Sequence, residues 1–356
     1  MNDADKILLA HGGGGELTAK LVSEVIFAGL GDAALGSLDD AAVLDICGPQ
    51  AVKTSRSEAG RGAAAAPRLA FTTDSFVVKP LFFPGGDVGR LAVCGTVNDL
   101  SMRGARPLFL SLAFIIEEGL EIGVLRRVVA SAAAAAREAG VKVATGDTKV
   151  VERGAADGLF INTAGVGSVP EGVEISLSGA RPGDEILVSG PVGNHAIAVL
   201  AQREGLAFET TVESDVRPLN RQVEMLIASV GVGVHVLNDP TRGGLAACLN
   251  TIAASGGVGI EVDEASIPVD SSVAFASEML GLDVLELANE GKFVAVVARG
   301  SAKKALDVLQ NQGQTPISRP AIIGHVTNGR GVTLVTASGG RRILEMPYGE
   351  DAPRIC

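Results

Sequence analysis

Apolar positions along this chain follow two rhythms. Short runs such as "AAVLDI" (41–46) and "RLAFTTDSFVV" (68–78) have the length and β-branched content of strands, and they read as a pair. "DVGRLAVCGTVNDLSMRGA" (87–105) begins helically and is followed by the strand "PLFLSLAFIIE" (107–117). "LEIGVLRRVVASAAAAAREAG" (120–140) has period-3.6 apolar positions and strong helix formers. "VKVATGDTKVV" (141–151) reads as a short strand running into a loop, and "LFINTAGVGSV" (159–169) as another strand. Beyond residue 169 a second unit opens with the strand "EILVSG" (185–190) and the helix "HAIAVLAQREG" (195–205). The stretch 223–257 reads helix, strand, turn, helix. "VGIEVDEASIPV" and "KFVAVVARG" are strands, "SAKKALDVLQNQG" is a helix, and 316–337 closes with strands. Most strand-to-strand connections are too long for hairpins. An α/β chain of mixed (α+β) sheets in two domains is expected.

The expected divisions are a glycine-rich segment at 1–35, an N-terminal domain at 36–168, a C-terminal α/β domain at 169–345 and a flexible tail at 346–356. The segment 48–68, rich in small residues, reads as a mobile hairpin loop. The 356 residues suffice for two cores, but aromatics are only 3% and tryptophan is absent, so Ala, Val, Leu and Ile must fill them. A net charge of -11 disfavours nucleic acid and anionic membrane surfaces as partners. No apolar run reaches the length of a membrane span, and the N-terminus lacks the basic start of a signal peptide. A cytoplasmic location is expected.

The four cysteines, Cys47, Cys94, Cys248 and Cys356, form no C-x-x-C pair, and no histidine stands at metal spacing, so zinc is not expected. Cys94 and Cys248 sit among small apolar residues and read as buried thiols. Cys356 ends the polar tail "EMPYGEDAPRIC", where nothing nearby in sequence buries it.

Five acidic loops carry the candidate chemistry: Asp39 and Asp40 in "LDDAAV", Asp74 in "TTDSF", Asn98 and Asp99 in "VNDL", Asp147 and Lys149 in "ATGDTKV", and Asp239, Thr241 and Arg242 in "LNDPTRGGL". Asp is common at turns and helix caps for local reasons alone. Several such loops together suit Mg²⁺, which takes one or two carboxylates and leaves room for substrate phosphates. The run Gly12, Gly13, Gly14 and Gly15 offers backbone N–H groups to phosphate, although no Gly-Lys-Ser/Thr follows it. Taken alone, it reads as a flexible linker near the terminus.

These motifs, "HGGGGE", "LDDAAV", "TTDSFVV", "GTVNDLSMRGARP", "GDTKV", "NDPTRGGL", "ANEGKF" and the terminal "PRIC", together resemble the HypE family of hydrogenase maturation proteins. That family lies in the superfamily of ATP-using enzymes that includes aminoimidazole ribonucleotide synthetase. The resemblance runs the length of the chain. The stretch 48–68 is longer than the family's hairpin, and Ser101 stands where alanine is usual.

The resemblance implies a two-domain synthetase-like fold whose N-terminal sheet forms a shared barrel in a homodimer. It implies that Cys356 is a thiol carrier: a carbamoyltransferase, HypF, loads a carbamoyl group, ATP drives its dehydration to thiocyanate, and cyanide passes to iron on HypC–HypD. The expected roles are Cys356 as nucleophile, Lys149 at the transferred phosphoryl group and Glu290 as general base. Asp40, Asp74, Asp99 and Asp147 are expected to hold Mg²⁺–ATP, with Asn98 and Thr148 assisting, and Asp239, Thr241, Arg242 and the glycine run at the nucleotide. His11 is expected near nucleotide or tail, while His195, His235 and His325 read as structural or exposed. Two other readings stand beside this one: a kinase or synthetase acting on a free small molecule, and a nucleotide-binding scaffold.

Overall fold

The computed structural model describes residues 7–8, 11, 13, 15–27, 39–45, 68–206, 212–311, 319–349 and 354–356. Cys47, Gly12, Gly14 and, apart from Arg68, the loop expected over 48–68 lie outside them.

A short helix, α1 (Glu16–Leu21), precedes a five-stranded sheet. The sheet contains β1 (Ala42–Asp45), β2 (Arg68–Phe76), β5 (Arg106–Glu117), β6 (Lys142–Val151) and β7 (Leu159–Val169), ordered β1-β2-β7-β5-β6. Between β2 and β5 the chain makes a small hairpin, β3 (Phe82–Phe83) with β4 (Gly86–Asp87), which the sequence pattern did not announce. Two helices cover one face of the sheet: α2 (Val88–Met102) and α3 (Ile122–Ala139).

Helix α2 starts cleanly because Asp87 Oδ1 accepts the N–H groups of Gly89 at 2.8 Å and Arg90 at 3.2 Å. It is buried almost all round, as an apolar helix with small residues permits. Gly95 is one such residue: a Cβ there would lie 2.8 Å from the Phe76 ring. Helix α3 buries one stripe, Val128, Ala132, Ala135, Ala136 and Ala139, and ends at Gly140 in the left-handed conformation. It is the crossover that lets β5 and β6 pair in parallel. That pairing runs to Val151, so β6 is one ten-residue strand. The expected strand-to-loop change at "GDTKV" does not occur, because β5 supplies ladder partners past those residues.

The second sheet has seven strands: β8 (Glu185–Val188), β9 (Val234–Asn238), β10 (Gly259–Asp263), β11 (Val294–Val297), β12 (Ala321–Thr327), β13 (Gly331–Val335) and β14 (Arg341–Leu344). Their order is β14-β13-β10-β12-β8-β11-β9, antiparallel except for β10 with β13. Strand β14 lies beyond the last strand expected from the pattern. Helices α4 (Asn194–Glu204), α5 (Asn220–Val230), α6 (Gly244–Gly256), α7 (Ser271–Leu280) and α8 (Ala302–Asn311) complete the unit. None of the described helices is long and apolar enough to cross a membrane.

The two units are not packed independently. One core joins Phe76, Leu91 and Val97 with Ala196, Ile197 and Ala288 across the junction, and Ile355 from the tail belongs to it. Ile355 is only 1% exposed. The expectation that nothing buries the terminus therefore fails in the described tail residues: the apolar side chain just before the cysteine plugs a seam that only the folded chain creates.

Candidate active site

A cavity of about 270 Å³ opens between β2, the N-terminal residues of the first sheet, α2 and the turn after β9. Asp39, Asp40, Thr72, Asp74, Asp99, Asp239, Thr241, Arg242, Glu290 and Cys356 line it. Segments from Asp39 to Cys356, nearly the two ends of the chain, thus meet at one place.

Each carboxylate is held by its neighbours. Asp40 precedes β1, and the side-chain amide of Asn238, at the end of β9, reaches both its oxygens at 2.8 Å. Asp74 lies on β2; its Oδ1 accepts Ser75 N–H at 2.8 Å, and its carbonyl accepts from Asn162 at 2.9 Å. Asp99 projects from α2 to within 2.9 Å of Thr72 Oγ1, which is also 3.0 Å from the Asp40 carbonyl. The Thr72 hydroxyl is the donor in both contacts and so ties Asp99 to the segment that carries Asp40.

Burial dominates the electrostatics of the cavity. Burial raises the pKa of Asp99 well above the usual carboxylate range, and Asp239, Asp74 and Asp40 raise it further. Burial likewise pushes Asp40 up to about 7, against the bonds from Asn238. Asp74 is raised by burial, with Arg242 opposing. Asp239 and Glu290 are raised well above their ordinary values, again chiefly by burial and then by neighbouring carboxylates. The cavity therefore concentrates more buried acid than its lining cation, Arg242, can neutralise.

Arg242 is placed by "DPTRGGL". Thr241 N–H closes a turn on the Asp239 carbonyl at 2.9 Å, and two glycines with positive φ, Gly243 at 75° and Gly244 at 60°, lead into α6. A Cβ on Gly244 would meet backbone atoms of Leu285, Glu286 and Leu287 at 2.6 Å. Cys356 is the largest influence favouring the charged guanidinium of Arg242, followed after burial by Asp74 and Glu290.

Glu290 sits in a loop whose backbone is tied down. Its N–H and that of Gly291 each donate to Asp215 at 3.2 Å, and Lys292 Nζ donates to Asp215 at 2.7 Å. Burial alone would raise Asp215, but Lys292, then His195 and the backbone donors, hold it below its usual value. Asn289, fully buried, accepts from Gly193 N–H at 2.8 Å and donates to the Pro240 carbonyl at 3.0 Å.

Several expected residues lie elsewhere. Asn98 does not line the cavity. Its amide donates to the carbonyls of Arg217 at 3.1 Å and Glu290 at 3.3 Å, and its Oδ1 accepts Leu219 N–H at 2.8 Å. Both its N–H groups are thus occupied, and it braces the Glu290 loop instead. Asp147, Thr148 and Lys149 lie on the exposed edge strand β6, where Lys149 pairs with Asp147 at 2.8 Å. Three strand spacings, roughly 14 Å, separate β6 from β2. The chain's own fold does not bring them to the other carboxylates, because sheet order places β7 and β5 between.

The described glycines of the N-terminal run pack against the tail base: Glu16 N–H donates to the Pro347 carbonyl at 2.9 Å, and a Cβ on Gly15 would lie 2.1 Å from that oxygen. Gly13 lines a small neighbouring cavity of about 30 Å³ with Pro347, Gly349 and Ile355. His11 bonds locally, its Nδ1 lying 3.0 Å from Leu8 N. His235 is structural, 2.7 Å from Asp184.

Thr72, Asn238 and Asp215 escaped the sequence reading, since each acts through a residue distant in the chain. "TTD" and "LND" held the only signal: polar residues beside an acid at a strand end.

The donor set fits hard cations. Among the described residues no three His, Cys, Asp or Glu side chains converge as a ready-made metal cage. Charge-poor acids around an open cavity suit ions whose coordination is completed by substrate oxygens.

The chain matches the model for the AIR synthase related protein N-terminal domain over residues 38–169 and that for the C-terminal domain over 181–337. A carbamoyl dehydratase HypE from Bradyrhizobium diazoefficiens is 45% identical over 351 residues, covering 98% of this chain and 95% of that protein. A crystal structure of a HypE–HypF complex matches with a TM-score of 0.82 at 46% identity, over 92% of this chain and 99% of that one. A HypE structure in complex with ATP matches with a TM-score of 0.78 at 45% identity, over 99% of this chain and 100% of the other.

Proposed function

The chain belongs to the family of HypE carbamoyl dehydratases, and from that premise we propose that it serves [NiFe] hydrogenase maturation by dehydrating an S-carbamoyl group on Cys356 to a thiocyanate at the expense of ATP. The observation that carries this reading is the convergence of Cys356, Arg242 and Glu290 with five aspartates around one cavity.

The chemistry follows from the leaving group. An amide oxygen does not depart at neutral pH. The carbamoyl oxygen attacks the γ-phosphorus of ATP and ADP leaves. A base then removes the N–H protons while the C–O bond breaks, so that S–C≡N forms and the oxygen departs with phosphate. Glu290 is the base; its raised proton affinity makes its ionised form a strong acceptor. Arg242, beside Cys356, offsets charge that develops on the transferred oxygen. Asp40, Asp74 and Asp99, with Asp239 beside them, would hold Mg²⁺, which would supply charge neutralisation at the phosphates and favour the ionised state of these acids.

HypF, named with HypE in a matching complex, is the proposed source of the carbamoyl group. HypC–HypD is the proposed acceptor of cyanide, and the cytoplasm the proposed location. A second copy of the chain is the proposed partner of the open sheet face. Leu44, Phe71, Phe109 and Ile115 are exposed there, and the strand register puts them on the face opposite α2 and α3. Such pairing is the route by which Lys149 reaches a cavity, that of the other copy.

The test is mass spectrometry of the C-terminal peptide after incubation with carbamoyl phosphate, ATP, Mg²⁺ and the transferase. Carbamoylation of Cys356 followed by ATP-dependent loss of water is expected. An unmodified Cys356 beside a demonstrably active transferase would sink the reading in favour of a small-molecule kinase or synthetase.

A further inference from the structure

We propose that His195 is a positioning residue that orients the thiol of Cys356, acting through a directed Nε2–H···O=C bond to Ile355. His195 is fully buried at the start of α4. Its Nε2 lies 3.0 Å from the Ile355 carbonyl and its Nδ1 2.7 Å from Ser214 Oγ. A carbonyl only accepts, so Nε2 carries the proton. In the neutral ring Nδ1 is then an acceptor, and Ser214 donates to it. Ser214 Oγ in turn accepts Val216 N–H at 3.1 Å. Burial lowers the pKa of His195 and favours the neutral ring this chain of bonds requires, with Lys292 acting in the same direction and Asp215 and the Ile355 bond against it. The Phe83 ring meets the imidazole edge-on at 5.3 Å and fixes its plane.

The bonded carbonyl belongs to the peptide unit that joins Ile355 to Cys356. That unit is planar, so holding its oxygen sets the direction in which the Cα of Cys356 departs toward Arg242 and Glu290. Other tail bonds come from the N-terminal domain or the surface, among them Val77 N–H to the Cys356 carbonyl at 3.2 Å, Lys79 N–H to the Arg354 carbonyl at 3.2 Å, Arg203 to the same carbonyl at 2.7 Å, and Arg354 to the Val77 carbonyl at 3.0 Å and to Asp157 at 2.7 Å. His195 reaches the tail from inside the core. The inference rests on the carrier reading in one respect: a tail that must be loaded by a transferase and then returned needs an address inside the protein, and a directed neutral hydrogen bond supplies direction without adding a charge that would hold the tail shut.

The first test needs neither ATP nor transferase. Carboxypeptidase Y removes Cys356 only from undocked tails, and intact-protein mass spectrometry follows the loss. His195→Phe keeps an aromatic ring but strands the Ile355 carbonyl, and trimming should speed up by about tenfold. His195→Gln retains an N–H donor and should stay within about twofold of the parent protein. Ser214→Ala, which frees the ring to reorient, should fall between them. With carbamoylated protein, His195→Phe should slow dehydration by about tenfold while leaving loading by the transferase as fast or faster, a split that general destabilisation does not produce. Equal trimming of the parent protein and His195→Phe would overturn the proposal. Should that variant fail to fold, Ser214→Ala against His195→Gln decides: faster trimming in the first alone supports it, and equal rates overturn it. If trimming changes as expected but an active transferase never modifies Cys356, the positioning role stands and the carrier reading falls.

Discussion

Glu290 is 4% exposed and surrounded by other acids, so its carboxylate binds a proton more tightly than a surface glutamate does. On the proposed reading, cations bound in the cavity would favour its ionised form and let it act as a base. Glu290→Gln is therefore expected to cut ATP-dependent dehydration by about 10²–10⁴-fold while Cys356 is still carbamoylated, as single-turnover mass spectrometry would show. Asp40 makes a second prediction. Its folded pKa, about 7, stands above its ordinary value of 3.8. The folded state thus binds the proton more tightly than the unfolded state. The associated stability is fully present below pH ~3.8 and is lost as pH rises through about 7. Without Mg²⁺ or nucleotide, Tm should fall between about pH 4 and 7 and level off above, and Asp40→Asn should flatten that slope. A slope unchanged in the variant would assign the effect to other groups. The acids themselves were legible in the sequence as residues at strand ends and turns. Their protonation was not, because it depends on which other acids the fold stacks against them.

At the level of elements, turns aim the site. The "TRGGL" turn illustrates this: Gly244 has a φ of 60° and no room for a Cβ, so the approach of α6 to the Leu285–Leu287 backbone depends on glycine. Gly244→Ala is expected to destabilise the protein by about 1–2 kcal/mol for the backbone conformation alone, with more for the clash, and to displace Arg242. Thermal denaturation together with an ATP-binding titration would check both effects. A variant of unchanged Tm and affinity would show that the turn relaxes freely. The helix and strand periods were readable for α2, α3, β2 and β7. The β6 strand was misread at "GDTKV", where a glycine and an aspartate signal a turn locally but the parallel ladder with β5 overrides them. The β3–β4 hairpin is two residues a side, too short to leave a period.

At the scale of the whole molecule, Lys149 poses the main geometric question. It is 68% exposed on an edge strand, and its own cavity lies across the sheet. Subunit mixing tests whether it serves a second copy. Lys149→Ala and Cys356→Ala proteins, each inactive alone, should regain activity after unfolding and joint refolding. Half the random dimers are mixed and each has one intact site, so recovery should reach about a quarter of the parent rate for a closed pair. No recovery would mean that Lys149 acts within its own chain or not at all. The same scale governs the tail. Ile355 docks in a core made by both domains, and only this packing gives Cys356 a place beside Glu290.

The mixed α/β character, the list of acidic motifs, the terminal thiol and the family resemblance are all legible in the amino-acid order, because they are properties of local pattern and residue type. Tertiary structure alone decided which acids share a cavity, that Asn98 braces a loop, that β6 keeps Asp147 and Lys149 apart from the rest, and that His195 meets the tail. The physical reason is range. Periodicity and turn chemistry act over a few residues, whereas burial, proton affinity and the bond from His195 to Ile355, 160 positions apart, arise only when distant segments exclude water from one another.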